Sequence, residues 1–410
     1  MKVAIPYTGY WPYVRRGVER CTHDLATYLA GRGHDVHVIT STPGRPRVGW
    51  DGAVKVTYLP QLNHPLLHRY APMLRVDAFS LKATRIMLRE KPDVAHLWAY
   101  SGIRMAPLMK RFAGFRYLFQ VSVYWDAGLG HWWFPELTAA DRVMALNMDA
   151  AAKVTNEFGV PCGVLPPPVD LETFRPTVAR DLAHPKVFFP VDLADRRKGG
   201  ALLLRAWNRI YRECPKATLV LGGSLGVAGW LQDQDGNSAL SQLNLVTDPD
   251  ARAAIDLRGP GALDSLPDWY SQAAVTVLPS IDEAFGMVLT ESLACGTPVV
   301  SSAHCGPKEI VGDPGVGTTV DLRDQSDLVS TKRADELASA ILRTIELSQR
   351  PGTSARCREW AGRWSLEKVG ARYERLLEEI VSGTQPEQTA DPLLEPAADG
   401  AYAVASGMSR

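Results

Sequence analysis

Two glutamates, Glu283 and Glu291, are separated by seven residues that include the loop Ala284-Phe285-Gly286-Met287-Val288. The preceding Val275-Thr276-Val277-Leu278 is β-branched and apolar and reads as a buried strand. Gly296 and Pro298 stop a short helix, and Val299-Val300 opens the next strand. In a parallel α/β sheet, ligands sit at the carboxyl ends of strands, and a helix start there offers unpaired backbone N–H groups to an anion. The N–H groups of Phe285, Gly286, Met287 and Val288 are thus placed to hold a phosphate. Glu283 falls in the loop, and Glu291 falls inside the helix on a neighbouring face. Two acids beside an anion site repel the anion unless they bind hydroxyls. Carboxylates accepting from a polyol, next to donors that hold a diphosphate, describe a sugar nucleotide. An ordinary solvated acid pair is the competing reading, because acids are favoured at helix starts in any case.

Phe285-Gly286-Met287-Val288 between the two glutamates, followed by Cys295-Gly296-Thr297-Pro298-Val299-Val300, resembles the Glu-x7-Glu signature of family 4 retaining glycosyltransferases, which have the GT-B fold. Other segments resemble the family in the same order. Gly17, ahead of Glu19 and Arg20, matches the first glycine loop and helix, and Asp93-Val94-Ala95-His96 matches a strand ending in histidine. Pro166-Pro167-Pro168-Val169-Asp170 looks like the segment before the linker. Leu219-Val220-Leu221-Gly222-Gly223 looks like the strand lining the nucleotide, and Leu257-Arg258-Gly259 like the segment beside the base. Cys305-Gly306-Pro307-Lys308-Glu309 resembles a glycine-proline-x-glutamate helix start.

The resemblance implies that Glu283 holds donor-sugar hydroxyls and Glu291 the ribose. It implies that Lys198, an arginine and the 285–288 N–H groups hold the diphosphate. Lys198-Gly199 matches the family's lysine-glycine, but its glycine-arginine pair is replaced by Val191-Asp192, so Arg196 or Arg197 is expected to supply the missing charge. After Val123 the family commonly has a histidine that contacts the donor sugar, whereas this chain has Tyr124-Trp125-Asp126. His131 and Tyr124 are the candidates to replace it. The expected enzyme is a retaining, metal-independent hexosyltransferase with no cofactor, and its co-substrate is a UDP- or GDP-linked sugar. The acceptor is a small molecule, a glycan or a lipid-linked species. A nucleotide-sugar epimerase or phosphorylase on the same fold, or a non-catalytic sugar-nucleotide-binding partner, is the alternative.

The elements that must position these residues alternate along the chain. Strand-like runs at Val3–Ile5, Asp35–Thr40, Val94–Trp98, Tyr117–Val123 and Val143–Leu146 alternate with helical ones, and a second set begins at Val187-Phe188-Phe189. The expected architecture is α/β, with two doubly wound Rossmann-like domains facing across a cleft. Residues 1–178 form an amino-terminal, acceptor-binding domain, and 179–365 a nucleotide-sugar-binding domain. Val369, Tyr373, Leu376, Leu377 and Ile380 recur at helical spacing, so 366–382 reads as an amphipathic crossover helix returning to the first domain. Residues 383–410 read as a flexible tail.

The 410 residues are too many for one average core. Lysine plus arginine equals aspartate plus glutamate at 45 each, which excludes electrostatic nucleic-acid binding by the whole chain. Residues 1–178 nevertheless carry seven more basic than acidic side chains, and the remainder carries the opposite excess. That asymmetry is consistent with an anionic acceptor, a weak peripheral membrane contact or simply a solvated face. Six scattered cysteines form no C-x-x-C pair and suit a reducing cytoplasm. The chain opens on a strand too short for a signal-peptide core and holds no apolar run of membrane-spanning length, so a cytoplasmic location is expected.

Overall fold

Val3 and Ile5 near the start of the chain, and Val187, Phe188 and Phe189 in its second half, are all buried to within about a hundredth of their surface. Strands with no polar face belong inside parallel sheets covered on both sides by helices. The structure, a computed structural model, describes residues 1–14, 16–61, 72–99, 103–122, 134–223, 239–259 and 265–384. It contains two such sheets.

The first comprises β1 (Lys2–Pro6), β2 (Asp35–Thr42), β3 (Arg47–Asp51), β4 (Val54–Pro60), β5 (Val94–Trp98), β6 (Tyr117–Val121), β7 (Arg142–Ala145) and β8 (Cys162–Val164), in the order β3-β4-β2-β1-β5-β6-β7-β8. All neighbours are parallel except the β3–β4 hairpin, which turns through Gly52 at φ 56°. The second comprises β9 (Lys186–Phe189), β10 (Thr218–Leu221), β11 (Ile255–Leu257), β12 (Ala273–Leu278), β13 (Val299–Ser302) and β14 (Gly317–Val320), in the all-parallel order β11-β10-β9-β12-β13-β14. Counted from its own first strand this is 3-2-1-4-5-6, the doubly wound order. It reverses between β9 and β12, and the crevice beyond their carboxyl ends is where such sheets take ligands.

The chain crosses between the domains twice, and the crossings are tied together. Val169 donates its N–H to Trp364 O at 2.8 Å, and Leu366 N donates to Val169 O at 3.0 Å. The Leu366–Ser382 helix then packs on the Gly17–Gly31 helix of the first domain. Gly370 permits the contact, since a Cβ there would come within 2.6 Å of the Tyr28 ring. Tyr373 shares a 2.9 Å hydrogen bond with His96 Nδ1, and Glu374 pairs with Arg32 and His34. Arg116 donates to the carbonyls of Ile380 and Val381 at the helix end.

Candidate active site

After β9 the chain makes one 3₁₀ turn, Arg196–Lys198, whose start is capped by Asp195 accepting from Arg197 N at 3.1 Å. Gly199 closes it at φ 73°, where a Cβ would lie 2.1 Å from Pro279 O, so only glycine lets this turn lie against the segment leaving β12. Ile281 N donates to Arg197 O at 3.0 Å and fixes the two segments side by side. The consequence is a side-chain contact between residues far apart in sequence: Lys198 Nζ donates to Glu283 Oε2 at 2.6 Å. Both side chains are mostly covered, at 22% and 16% exposure.

The loop that follows Glu283 is shaped from both sides. Phe285 is buried against Trp364, and Gly286 adopts φ 96° to start the Met287–Ala294 helix. From the other side Gly306 presses on the loop so closely that a Cβ would come within 2.3 Å of Phe285 Cα. The first N–H groups of the helix, at Met287 and Val288, have no intrahelical partner, and the helix begins four residues after Glu283. A lysine, a carboxylate and a helix start thus converge at the point where the strand order reverses. Such a set can hold an anion and a hydroxyl together.

Two family models match the chain in tandem, Glycosyltransferase Family 4 over residues 15–173 and Glycosyl transferases group 1 over residues 176–358. The chain belongs to this family of glycosyltransferases. A D-inositol 3-phosphate glycosyltransferase of Nocardiopsis dassonvillei is 33% identical over 198 residues, covering 44% of each chain. One from Geodermatophilus obscurus is 30% identical over 266 residues, covering 60% of this chain and 55% of its own. The chain thus spans about half the length of the curated relatives it matches. Among solved structures, sucrose-phosphate synthase from Thermosynechococcus elongatus superposes with TM-score 0.72 at 20% identity, covering 93% of this chain and 99% of that one. Anabaena HepE, solved in complex with UDP, gives 0.68 at 18%, covering 92% and 100%. These likenesses show the fold, which is GT-B.

Within this member of the family the remaining candidates divide. Arg197 is committed to acids, with Asp195 at 2.9 Å and Asp282 at 3.5 Å, while Arg196 is exposed beside it. Gly17 faces the Met287 sulfur across the domain boundary, where a Cβ would lie 3.4 Å away. Glu291 is only 6% exposed. Its Oε2 accepts from Tyr270 at 2.8 Å and its Oε1 lies 3.6 Å from Arg20 Nη1 of the first domain. Burial raises its pKa, against the pull of Arg20 and Tyr270.

At Gly222 a Cβ would come within 2.5 Å of the Phe188 ring and 3.2 Å of Trp269, so packing alone already calls for glycine there. Arg258 pairs with Asp256 at 2.8 Å and lies over Trp269 at the end of β11. Tyr124 and His131 lie outside the described residues. His96 is 1% exposed and bonded to the crossover helix, and burial lowers its pKa to about 3.

Sequence reasoning missed the residues that join the domains. Arg20 sits between the Trp11 and Phe174 rings as it reaches Glu291. Asn147 caps the Met148–Phe158 helix through Ala150 N and donates its amide to Ala284 O of the candidate loop. That helix and Cys305–Ile310 cap each other: Met148 N donates to Glu309 at 2.6 Å and Cys305 N to Asp149 at 3.3 Å. An asparagine before Met148-Asp149 was the readable signal for the first cap. Nothing in the sequence points to its second partner.

Proposed function

We propose that this chain is a retaining, metal-independent hexosyltransferase that takes a UDP- or GDP-linked sugar and transfers the sugar to an acceptor hydroxyl held mainly by the amino-terminal domain. The observation that carries the reading is the 2.6 Å contact between Lys198 and Glu283, beside the Met287 helix start and at the switch point of the second sheet. An anion and a polyol arriving together give each member of that pair a better partner. Lys198 turns to the diphosphate, and Glu283 accepts from sugar hydroxyls.

As the bond from the anomeric carbon to the phosphate oxygen breaks, charge grows on the leaving diphosphate. Lys198 and the N–H groups of Met287 and Val288 stabilise it there. The acceptor oxygen attacks from the same face, a leaving phosphate oxygen takes the acceptor proton, and the nucleoside diphosphate departs. The lysine supplies the positive charge that a divalent cation supplies elsewhere, which supports independence from metal.

The relatives named D-inositol 3-phosphate glycosyltransferases, and HepE in complex with UDP, support a hydroxyl acceptor and a nucleotide donor. The acceptor is a small molecule, a glycan or a lipid-linked species. Six unpaired cysteines support a reducing, cytoplasmic setting.

The deciding experiment supplies purified protein with UDP- and GDP-sugars and an acceptor panel, with chelator present, and reads the product anomer by NMR. Transfer with the donor's configuration retained is expected. An inverted product, or activity that vanishes in chelator and returns with magnesium or manganese, overturns the reading.

A further inference from the structure

Two helices of the amino-terminal domain, Pro72–Glu90 and Ala106–Ala113, lie side by side on one face of the first sheet. Phe79, Ala83, Met87, Ala106 and Met109 share a single buried cluster there with Ala4, Ile39 and Leu97. Their outer faces carry large apolar side chains. Leu81 is 62% exposed, Leu88 46%, Leu108 47% and Phe112 77%, four of the twelve exposed large apolar side chains among the described residues. Lys82, Arg85, Arg89 and Arg111 are exposed among them, and the Arg111 guanidinium lies 5.5 Å from the Phe112 ring.

The only acids on these helices are neutralised, Asp77 by Arg104 at 2.7 Å and Glu90 by Lys55 and His37. Neither Arg85 nor Arg111 forms an ion pair with a described residue. No helix among the described residues is long and apolar enough to cross a membrane.

We infer that this face is a docking surface for an anionic lipid bilayer. The charge pattern selects that occupant: apolar side chains interleaved singly with cations suit a boundary where acyl chains meet phosphate headgroups. A protein interface would instead gather its apolar residues at the centre and deplete its charge there. Both helices run back antiparallel to the strands they connect, so Leu88, Arg89, Arg111 and Phe112 lie at the amino edge of the sheet. The candidate site lies at the carboxyl edge of the other sheet, so docking leaves it open. The inference is independent of the proposed reaction.

The test is flotation of the full chain with vesicles of phosphatidylcholine containing one third phosphatidylglycerol, against pure phosphatidylcholine, at low and high salt. Binding to the anionic vesicles alone is expected, weakened by salt. Arg85→Glu with Arg89→Glu should lower partitioning by roughly thirtyfold or more. Leu88→Ser with Phe112→Ser should lower it too, while Val329→Ser, an exposed position of the second domain, should leave it unchanged. An unaltered unfolding temperature shows that the variants are folded. Failure of the wild type to float, equal binding to neutral vesicles, or variants that bind like the wild type overturns the inference. Concentration-dependent self-association abolished by the same variants assigns the face to a second copy and overturns it as well.

Discussion

Lys198 and Glu283 satisfy each other at 2.6 Å, so each variant removes a different half of the proposed exchange. Glu283→Gln keeps the shape but loses a charge-assisted hydrogen bond to the sugar, worth about 1.5 to 3 kcal/mol. Turnover should fall roughly ten- to a hundredfold, with nucleotide affinity nearly unchanged. Lys198→Ala should do the reverse first, weakening nucleotide binding as read by calorimetry or thermal shift. Equal turnover in Glu283→Gln and wild type would remove Glu283 from the sugar site. Gly199 belongs to the same scale, because any side chain there meets Pro279 O at 2.1 Å and the φ of 73° is strained as well. Gly199→Ala should separate the two segments and cost activity even though no ligand-binding group is lost.

The crossover helix owes its position to a few side chains. Tyr373 is fully buried and its hydroxyl meets His96 Nδ1, so Tyr373→Phe leaves a buried ring nitrogen without that partner. The expected loss is about 1 to 3 kcal/mol in chemical denaturation. A chain ending at Ser382 should stay folded and active. One ending at Trp364 uncovers the surface that Val369, Leu376, Leu377 and Ile380 bury and should lose activity. Full activity of that shorter chain would mean the helix has no part in holding the domains together. The same element explains His96: the sequence reads it as the end of a strand, but β5 runs on to Trp98, and the returning helix takes the His96 ring into the packing through Tyr373.

Across the whole molecule the domains meet through reciprocal caps, and one of them titrates. Burial raises the Glu309 carboxyl from its ordinary 4.5 to about 7, opposed by the Met148 N–H and Lys308 and reinforced by Asp149. A carboxyl with a higher pKa in the joined state holds its proton more tightly there than when exposed. The junction is therefore strongest below the ordinary carboxylate value and weakens as pH rises from 4.5 towards 7. Unfolding temperatures of the wild type and Glu309→Gln, compared from pH 4.5 to 8, should diverge over this window, with the variant showing the flatter profile. Parallel profiles would place the proton elsewhere. Arg20→Gln should act at the same boundary by leaving Glu291 buried without its cation. Small-angle scattering should report a more open particle, and an unchanged radius would show that the pair does not hold the domains.

The sequence by itself determined the fold class and the alternation of buried strands and helices, and it named the residues of the candidate site. Apolar strands without a polar face demand a covered parallel sheet, and glycine, proline and acid spacing marks a strand-loop-helix start. Lys198 and Glu283 were legible as types for the same reason. Their contact was not: it depends on strand order, which places β12 beside β9, and on Gly199 lying against Pro279. Gly222 shows a need that the sequence does not display, a glycine beside a strand end whose missing side chain makes room for Phe188 and Trp269. The edge strand β3 was not legible because a short, largely exposed strand carries little periodic signal. Arg20, Asn147 and Glu309 act across the domain boundary, and no local pattern records which surface a distant segment will meet. Local propensity and burial pattern are written residue by residue, whereas pairings between domains exist only once both sheets are formed and packed.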